Sequence, residues 1–373
     1  MNPESIIEHF DDITDPRNFN KRHKLIDIIF ITICAVICKA EKWDDIELFG
    51  VSKEKWLKTY LELPHGIPSH DTIARVFAIM DPEEFNKCFL NWINSFKPVE
   101  KNEILNIDGK TLRHSYDKRN GKSAIHMVSA WANNAGVVLG QVKVDEKSNE
   151  ITAIPELLNL LDIESCIITI DAMGTQKKIA AQIIDENADY LLALKGNQGT
   201  LKENVELFFK DAEENNFDIG YSFDYHKSVN KDHGRMEKRE CWVTSDIDWL
   251  EEKMNWEGLQ SICMVKSERI INNEKSVENR YYISSLGANA EKMSNTVREH
   301  WGIENSLHWV LDVVFREDEC RKRNGNAAEN FAIVRHIALN LLKQEKSLKR
   351  SINGKRLMAG WDSEYLEKIL FQL

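Results

Sequence analysis

The pattern of apolar and polar positions divides the chain into a helical first part and a mixed second part. Apolar residues recur at helical spacing in residues 25–38 and 51–60. Pro82 stands where the first turn of a further helix would begin, a position that proline favours. The pattern therefore predicts a helical N-terminal domain over residues 1–97.

After that point, short apolar runs typical of buried strands alternate with amphipathic segments typical of helices. The predicted strands are residues 103–108, 124–132, 137–144, 167–171 and 190–194, and the predicted helices are residues 151–161, 176–186 and 201–212. The Asn-Asn-Ala-Gly sequence at residues 133–136 is a hairpin signal between two of these strands. An antiparallel start followed by alternating strands and helices predicts an α/β domain with a mixed central sheet.

Residues 215–285 interrupt this alternation with segments of strand-like pattern, which predict a β-rich insertion. Helical patterns return at residues 291–315 and 326–343. The sequence therefore predicts a core domain in two parts, residues 103–214 and 286–345, followed by a basic C-terminal tail over residues 346–373.

Composition and cysteine spacing argue against a membrane protein, a secreted disulfide-rich protein and a cysteine-ligated zinc protein. The 373 residues contain no apolar span of about 18 residues, so no membrane helix is predicted, and the start lacks the basic segment of a secretory signal. Seven cysteines without a CxxC pair argue against a disulfide framework and against a cysteine-ligated zinc site. We therefore expect a protein of a reducing compartment, the cytoplasm.

The net charge of −11 means that any contact with nucleic acid must depend on local basic stretches. Residues 227–239, which include Arg235, and residues 343–356 are two such stretches. A solvated surface without a partner is the alternative interpretation of both.

Residues 66–77 contain a turn capped by Ser69 that leads into a short helix. This arrangement is compatible with a helix-turn-helix that reads DNA, with His70 and Arg75 near its exposed start. A plain helical connector explains the same pattern equally well, since capped helix starts occur in every kind of domain.

Three acidic residues have the placement that a two-metal nuclease requires. Asp108 and Asp171 each end an apolar strand, where ligand-binding groups of such sheets commonly lie, and Glu304 falls in a predicted helix. Together they could hold two divalent ions that clamp the attacking and leaving oxygens of a phosphodiester. The alternatives are a turn at Asp108 with Gly109, and a helix cap or a turn with Gly174 at Asp171.

The helix that carries Glu304 also offers other metal ligands. Spacing by four places His300, Glu304, His308 and Asp312 on one stripe. Two aspartates and a glutamate favour Mg²⁺, whereas imidazoles draw a site toward zinc, so a zinc hydrolase built on His300, Glu304 and His308 is an alternative. Glu317 is predicted to lie on a solvated helix end instead.

Cations and aromatic residues near these carboxylates suggest contacts with nucleic acid. Lys110 and Lys195 each follow the end of a predicted strand, where an amine could reach a phosphate or simply face solvent. Trp131, Trp242 and Trp301 could stack on an unpaired base, although core packing accounts for most tryptophans.

On these residues the chain resembles the DDE transposases of bacterial insertion sequences, and more narrowly the H-repeat-associated, ISAs-type branch. The matching segments are residues 106–110 (NIDGK), 148–155 (SNEITAIP), 170–174 (IDAMG), 194–198 (LKGNQ), 233–235 (HGR) and 300–312 (HWGIENSLHWVLD). Residues 10–71 resemble the N-terminal domain that accompanies this family. The resemblance therefore extends over nearly the whole chain.

The resemblance implies an RNase H-like catalytic domain, with the β-rich insertion between the second aspartate and the glutamate. It implies that Asp108, Asp171 and Glu304 are the catalytic triad and bind two Mg²⁺ or Mn²⁺ ions. It further implies DNA cleavage at the ends of a mobile element, which frees a 3′-hydroxyl, and attack of that hydroxyl on target DNA.

The sequence departs from the family at positions around the glutamate. Related transposases have a Tyr–Arg–Glu–Lys pattern, and here Val297, His300 and Leu311 stand at the Tyr, Arg and Lys places, with Arg298 offset by two. These changes leave the phosphate contacts and any hairpin-forming step open. The residues predicted to contact DNA are Lys110, Lys195, Arg235, Arg298, His300 and Trp301.

The family also implies partners: double-stranded DNA at the element ends, target DNA, and a second copy of the chain in a synaptic homodimer, without any membrane. It implies a location in the bacterial cytoplasm. A catalytically inactive or domesticated DNA-binding protein with the same fold is the principal alternative, because an intact triad in one sequence does not establish activity.

Overall fold

The computed structural model describes residues 4–19, 21–116, 123–144, 149–232, 235–271 and 274–371. The helices are α1 (Glu4–Asp11), α2 (Leu25–Ile37), α3 (Trp43–Leu57), α4 (His70–Ile79), α5 (Pro82–Phe96), α6 (Glu150–Asn159), α7 (Lys177–Asp185), α8 (Thr200–Glu214), α9 (Ala290–Ile303), α10 (Trp309–Val313), α11 (Ala327–Gln344), α12 (Ile352–Trp361) and α13 (Ser363–Phe371). The strands are β1 (Ile104–Thr111), β2 (His126–Ala132), β3 (Val137–Lys143), β4 (Ile167–Ile170), β5 (Asp189–Leu194), β6 (Asp224–Asp232), β7 (Arg235–Thr244), β8 (Ser261–Ile271) and β9 (Glu274–Ser284).

These strands form one sheet in the order β3-β2-β1-β4-β5-β9-β8-β7-β6. The first three strands are antiparallel, whereas β4 runs parallel to both β1 and β5. All four residues of β4 are buried, as expected for a central parallel strand that is covered on both faces. The arrangement confirms the predicted α/β class with an RNase H-like mixed sheet.

The predicted β-rich insertion supplies strands β6 to β9. They do not form a separate sheet, because β9 pairs antiparallel with β5 and the pairing continues through β8 and β7 to β6. The insertion therefore extends the central sheet, and α9 packs across β1 and β7. This continuity fixes the helix that carries Glu304 against both halves of the sheet.

The helical N-terminal part is organised around α2, every residue of which is buried. Helix α11 contacts α2, α4 and α5 and also lies against β3. The Asn340 side chain pairs with both backbone groups of Val138 on β3, with its Nδ2 and Oδ1 atoms each 2.8 Å from the partner atom. Helix α11 therefore joins the helical part to the sheet through one shared hydrophobic core.

The C-terminal segment differs from the predicted basic tail. Residues 346–373 contain the helices α12 and α13, which pack on α11 and α2. Arg356 is fully buried, and its guanidinium donates to the carbonyl oxygens of Val36 and Val314. Spacing alone could not predict this, since α12 places Arg356 over the C-terminal end of α2, where a cation satisfies open carbonyls.

We expect Arg356→Leu to lower the free energy of unfolding by about 2–4 kcal/mol, because the carbonyl oxygens of Val36 and Val314 would each lose a charged donor. Chemical denaturation of the full chain measures this difference. Arg350→Leu removes an exposed arginine of the same segment and should change stability little. A fully stable Arg356→Leu protein would contradict the anchoring role of this side chain.

The segment that is compatible with a helix-turn-helix, residues 66–77, contains a turn and most of α4. Ser69 caps α4 as predicted, and its hydroxyl accepts from the backbone N–H of Thr72. His70 lies among carboxylates: its Nδ1 is 2.6 Å from Glu47 Oε2, and its Nε2 is 3.6 Å from Asp71 Oδ1. The surface at this helix start is acidic, which does not favour a phosphate contact there.

Candidate metal centre

Asp108 and Asp171 lie side by side at one edge of the sheet. Ile107 on β1 and Ile170 on β4 are paired in parallel register, so the next residue of each chain segment is an aspartate at the same level. Oδ1 of Asp171 accepts the backbone N–H groups of Met173 (2.9 Å) and Gly174 (3.3 Å). The predicted turn therefore forms with one carboxylate oxygen of Asp171, and the other oxygen remains available as a ligand.

The loop after Asp171 is held by a second loop. Asn197 Nδ2 and Gln198 Nε2 donate to the carbonyl oxygen of Ala172 at 2.6 and 3.0 Å. These two residues belong to the LKGNQ segment that follows β5. The segment thereby fixes the backbone beside Asp171 and brings Lys195 to the same edge of the sheet.

Glu304 lies on a helix that changes its pitch at this residue. Helix α9 ends at Ile303, one π-helical turn spans Glu304–His308, and α10 continues from Trp309. The wide turn is closed by the backbone N–H of Trp309, which donates to the carbonyl oxygen of Glu304. The sequence predicted an uninterrupted helix, and such π turns commonly occur at functional sites.

The three predicted triad residues line one cavity of about 590 Å³. Lys195, His300 and Trp301, which were predicted to contact DNA, line the same cavity. The predicted triad thus converges in space although its members are far apart in sequence. Lys110 and Arg298 do not line this cavity, and the side chain of Arg235 lies outside the described residues.

Burial and neighbouring charges mark Asp108 as the centre of the site. Burial, with smaller contributions from the charges of Asp171, Glu150 and Glu304, raises the pKa of Asp108 to about 7. Burial and like charges together disfavour an ionised carboxylate in the metal-free protein, and a bound cation would relieve both penalties.

A tighter group within the site has the donor set of a divalent cation. Asp108, Glu304 and His308 each offer one ligand atom, and these atoms lie within 4.8 Å of one another. The two carboxylates suit Mg²⁺ or Mn²⁺ and the imidazole suits a transition-metal ion, so the group fits a divalent cation. His300 is not in this group, so the ligand set of the zinc alternative is not assembled.

Glu150 is a neighbour of Asp108 that the sequence did not single out. Its Oε1 lies 2.7 Å from His126 Nε2, and both atoms pack against the backbone of Gly109. A Cβ at position 109 would overlap both side chains, so the Asp-Gly pair reflects close packing and not a tight turn. Glu150 belongs to the SNEITAIP segment that resembles the family, but only the fold shows that this residue is a neighbour of Asp108.

Lys110 has different partners from those predicted. Its Nζ lies 2.5 Å from Asp312 Oδ1 and 2.6 Å from Glu317 Oε2. Glu317 is only 3% exposed and also pairs with Arg335 at 3.4 Å, so its predicted place on a solvated helix end is wrong. Lys110 therefore ties β1 to the segment after α10, because a buried ammonium requires counter-charges.

His300 also belongs to a buried network. Thr169 Oγ1 donates to Asn106 Oδ1 at 2.8 Å, and His300 Nδ1 lies 2.9 Å from the same hydroxyl. Since the hydroxyl has one proton, the imidazole must donate through Nδ1–H. Asn106 Nδ2 in turn donates to the carbonyl oxygen of Glu299 at 2.7 Å.

This network lies two residues before the two aspartates along the chain, and therefore on the same face of the sheet. Asn106 and Thr169 are paired in register two residues before Asp108 and Asp171. Burial lowers the pKa of His300 to about 4, so the imidazole is neutral at physiological pH. Its position therefore suits attachment of α9 to the sheet better than charge-assisted binding of a phosphate.

We expect Thr169→Val to reduce the free energy of unfolding by about 1–3 kcal/mol, because His300 and Asn106 would lose a buried partner. The change keeps side-chain volume and removes only the hydroxyl. Denaturant titration measures the loss, with Thr200→Val at an exposed helix start as the matched control. Equal stability of Thr169→Val and wild type would show that the network does not hold α9.

The remaining predicted contacts fall on two surfaces. Trp301 is 40% exposed, and the guanidinium carbon of Arg280 lies 4.8 Å from the centre of its ring. Arg298 and Arg239 line a neighbouring cavity of about 400 Å³, which Trp301 also lines. Trp131 is only 2% exposed and is therefore a core residue, as the alternative interpretation held.

Comparison with known proteins gives a consistent family assignment. The family described as Transposase DDE domain matches residues 100–341, and the DDE_Tnp_1-associated family matches residues 7–93. The chain is 46% identical over 377 residues to "H repeat-associated putative transposase YhhI" of Escherichia coli (strain K12), covering 99% of this chain and 98% of the relative.

A shorter relative, "Inactive transposase YbfQ" of the same strain, is 49% identical over 77 residues, which covers 20% of this chain and 92% of that protein. A solved structure titled as a piggyBac transposase synaptic complex with hairpin DNA aligns at 11% identity and a TM-score of 0.41, over 99% of this chain and 77% of that chain. At this score, the structural likeness supports no functional conclusion.

Proposed function

The chain belongs to the DDE transposase family, and we propose that it cleaves DNA at insertion-sequence ends and joins the freed strands to target DNA. The convergence of Asp108, Asp171 and Glu304 on one cavity is the observation that carries this proposal. Members of a metal-dependent phosphodiester site must meet in this way, whereas carboxylates with other purposes need not.

We propose that Asp108, Asp171 and Glu304 hold two Mg²⁺ or Mn²⁺ ions. When bound, such ions stabilise the charge on the attacking and leaving oxygens of a phosphodiester. The chain itself positions the reacting strands and offers carboxylates at fixed separation, because β1 and β4 are paired in register and α9 is tethered to both. Fixed positions are what make such catalysis effective.

Phosphate binding at the cavity rim would fall to Lys195 and Arg280. Lys195 is exposed at the rim, and no ion pair involves it within the described part of the chain. Arg280 pairs with Glu278 at 2.9 Å and stacks on Trp301, so a phosphate would compete with an exposed carboxylate. Positive charges that contact phosphates increase the affinity for DNA but do not distinguish one base sequence from another.

The two positions that are Tyr and Lys in related transposases do not supply phosphate contacts here. Val297 is 5% exposed and Leu311 is 2% exposed, so both belong to the core. Phosphate contacts must therefore come from other residues, for which we propose Lys195 and Arg280 at this cavity and Arg298 at the neighbouring one, with Trp301 as a further DNA contact. This departure also supports the alternative proposal, a DNA-binding protein of the same fold without catalytic activity.

We expect Lys195→Ala to weaken binding to a DNA duplex and to reduce the slope of log affinity against log salt by about one unit. The physical reason is the loss of one phosphate contact and of its released counterion. Fluorescence anisotropy over a salt series measures both quantities. Lys368→Ala, an exposed lysine of α13, is the matched control, and an unchanged slope for Lys195→Ala would remove this residue from the proposed DNA surface.

The decisive test is incubation of the purified full chain with candidate element ends and target DNA, in Mg²⁺ or in EDTA. The proposal predicts nicked and joined products only with the metal. DNA binding without nicks would favour the inactive alternative. Cleavage that needs zinc and survives loss of Asp108 and Asp171 would favour the zinc hydrolase.

A further inference from the structure

His308 lies against two members of the triad, yet the triad leaves it without a role. Its Nδ1 is 3.3 Å from Glu304 Oε2 and 3.6 Å from Asp108 Oδ2. The side chain is only 6% exposed, whereas that of Glu304 is 57% exposed. A buried imidazole thus lies beside Asp108 and beneath a carboxylate that faces solvent.

The helix geometry accounts for this position. Glu304 and His308 are the first and last residues of the π-helical turn, so both project from one face toward β1. A π turn is a rare departure from the α-helical hydrogen-bond pattern, and such turns frequently occur at functional sites. Here it brings a nitrogen ligand and an oxygen ligand from one helix onto the end of the strand that carries Asp108.

The close polar contacts of the His308 ring are with these same two carboxylates. Within the described residues, Nε2 of His308 is buried without a hydrogen-bond partner, so the close polar neighbours of the ring are the two carboxylates. Both separations exceed the usual length of an N–H···O hydrogen bond, about 2.7–3.2 Å. They approach the spacing of about 3 Å expected for two ligands at right angles on an ion bound at about 2.1 Å.

We propose that His308 is a further protein ligand of the metal ion shared by Asp108 and Glu304. The inference rests on the proposed function and adds a nitrogen donor to its all-oxygen triad. Imidazole suits Mn²⁺ and later transition metals better than it suits Mg²⁺. The site should therefore prefer Mn²⁺ over Mg²⁺ more strongly than three carboxylates would.

The competing explanation gives His308 a positioning role, in which the ring only orients Glu304 through a long hydrogen bond. The two explanations differ in the metal they affect. Loss of an imidazole ligand weakens Mn²⁺ binding selectively, whereas loss of an orienting hydrogen bond weakens binding of Mg²⁺ and Mn²⁺ alike.

The test uses the full chain with Mn²⁺ alone. Electron spin echo modulation of the bound ion detects a directly coordinated imidazole nitrogen, and titrations give the affinities for Mn²⁺ and Mg²⁺. We expect the nitrogen signal in the wild type and its loss in His308→Gln, with Mn²⁺ affinity lower by about tenfold or more. His300→Gln is the matched control, because that ring binds Thr169, and it should keep the signal.

Should His308→Gln fold poorly, labelling with histidine of the heavier nitrogen isotope in the wild type and in His300→Gln shows whether the coordinated nitrogen belongs to an imidazole other than that of His300. Bound Mn²⁺ without nitrogen coupling overturns the inference, and so does an equal loss of both metals in His308→Gln. If Asp108→Asn still abolishes Mn²⁺ binding in those cases, the proposed function stands without His308. A wild type that binds neither metal at this site overturns both.

Discussion

Replacing Asp108 by asparagine should abolish Mg²⁺-dependent strand cleavage and, in the absence of metal, make the protein more stable. The first effect follows from the proposed role of this carboxylate in holding the ions. The second follows from its environment, since burial and neighbouring carboxylates raise the pKa of Asp108 from 3.8 to about 7. Asparagine keeps the shape and removes the buried charge.

The sign of the stability effect depends on pH. A raised pKa means that the folded protein retains a proton that the unfolded chain releases, so Asp108 lowers stability as pH rises from about 4 to about 7. Above that range the penalty is complete. We expect Asp108→Asn to be more stable than wild type by on the order of 1–3 kcal/mol at pH 8 in EDTA, measured by denaturation.

Two controls make this prediction specific. Asp248→Asn removes the same charge from a side chain that is 97% exposed and should alter neither cleavage nor stability. Added Mg²⁺ should stabilise the wild type but not Asp108→Asn, because binding to the folded state alone raises stability. Full cleavage by Asp108→Asn would refute the proposed chemistry, and lower stability in EDTA would refute the electrostatic account.

Replacing Glu317 by alanine should destabilise the protein by about 3–5 kcal/mol, the usual cost of removing one member of a buried ion group. Glu317 lies between the Lys110 ammonium and the Arg335 guanidinium, and all three side chains are at most 12% exposed. Without the carboxylate, the buried Arg335 guanidinium would lose this partner, and Lys110 would retain Asp312 as its counter-charge. Chemical denaturation of the full chain measures the loss.

The acid dependence of stability gives a second readout for Glu317. Although burial raises it, the charges of Lys110 and Arg335 lower the pKa of Glu317 to about 2. A lowered carboxyl pKa stabilises the folded state fully above 4.5, and this contribution disappears as pH falls toward 2. The difference in stability between wild type and Glu317→Ala should therefore shrink over that interval.

Glu319→Ala is the matched control, because Glu319 lies two residues further along and pairs with Arg316 on the surface at 61% exposure. Exposed pairs contribute little to stability, so this variant should resemble the wild type. Similar stabilities for the Glu317 and Glu319 variants would show that the buried ion group is not what holds β1 to the segment after α10.

Much of the fold followed from the sequence, because burial leaves a periodic record. Apolar runs predicted β1, β4 and β5, and the change of period predicted the helical first part and the β-rich insertion. Asp108 and Asp171 could be paired in advance, since parallel strands end at the same edge of a sheet. Glu304 could be chosen among its neighbours only through resemblance to the family.

The partners of charged side chains did not follow from the sequence. Lys110 and Glu317 are 207 residues apart, and nothing local distinguishes them from solvated residues. His300 and Arg356 likewise looked like contacts for phosphate or solvent until the fold supplied Thr169 and the carbonyl oxygen of Val36. A charge is buried only when distant segments provide its counterpart, so its role is a property of the assembled structure.

The sequence by itself therefore determined most of the elements up to α11 and the two strand ends that carry the carboxylates, because hydrophobic periodicity is local. Only the tertiary structure decided which polar groups face the site and which hold the surrounding segments together. Those decisions depend on register, on a π turn at Glu304 and on contacts across the chain. The electrostatic field at Asp108 is the sum of such contacts, and no single segment specifies it.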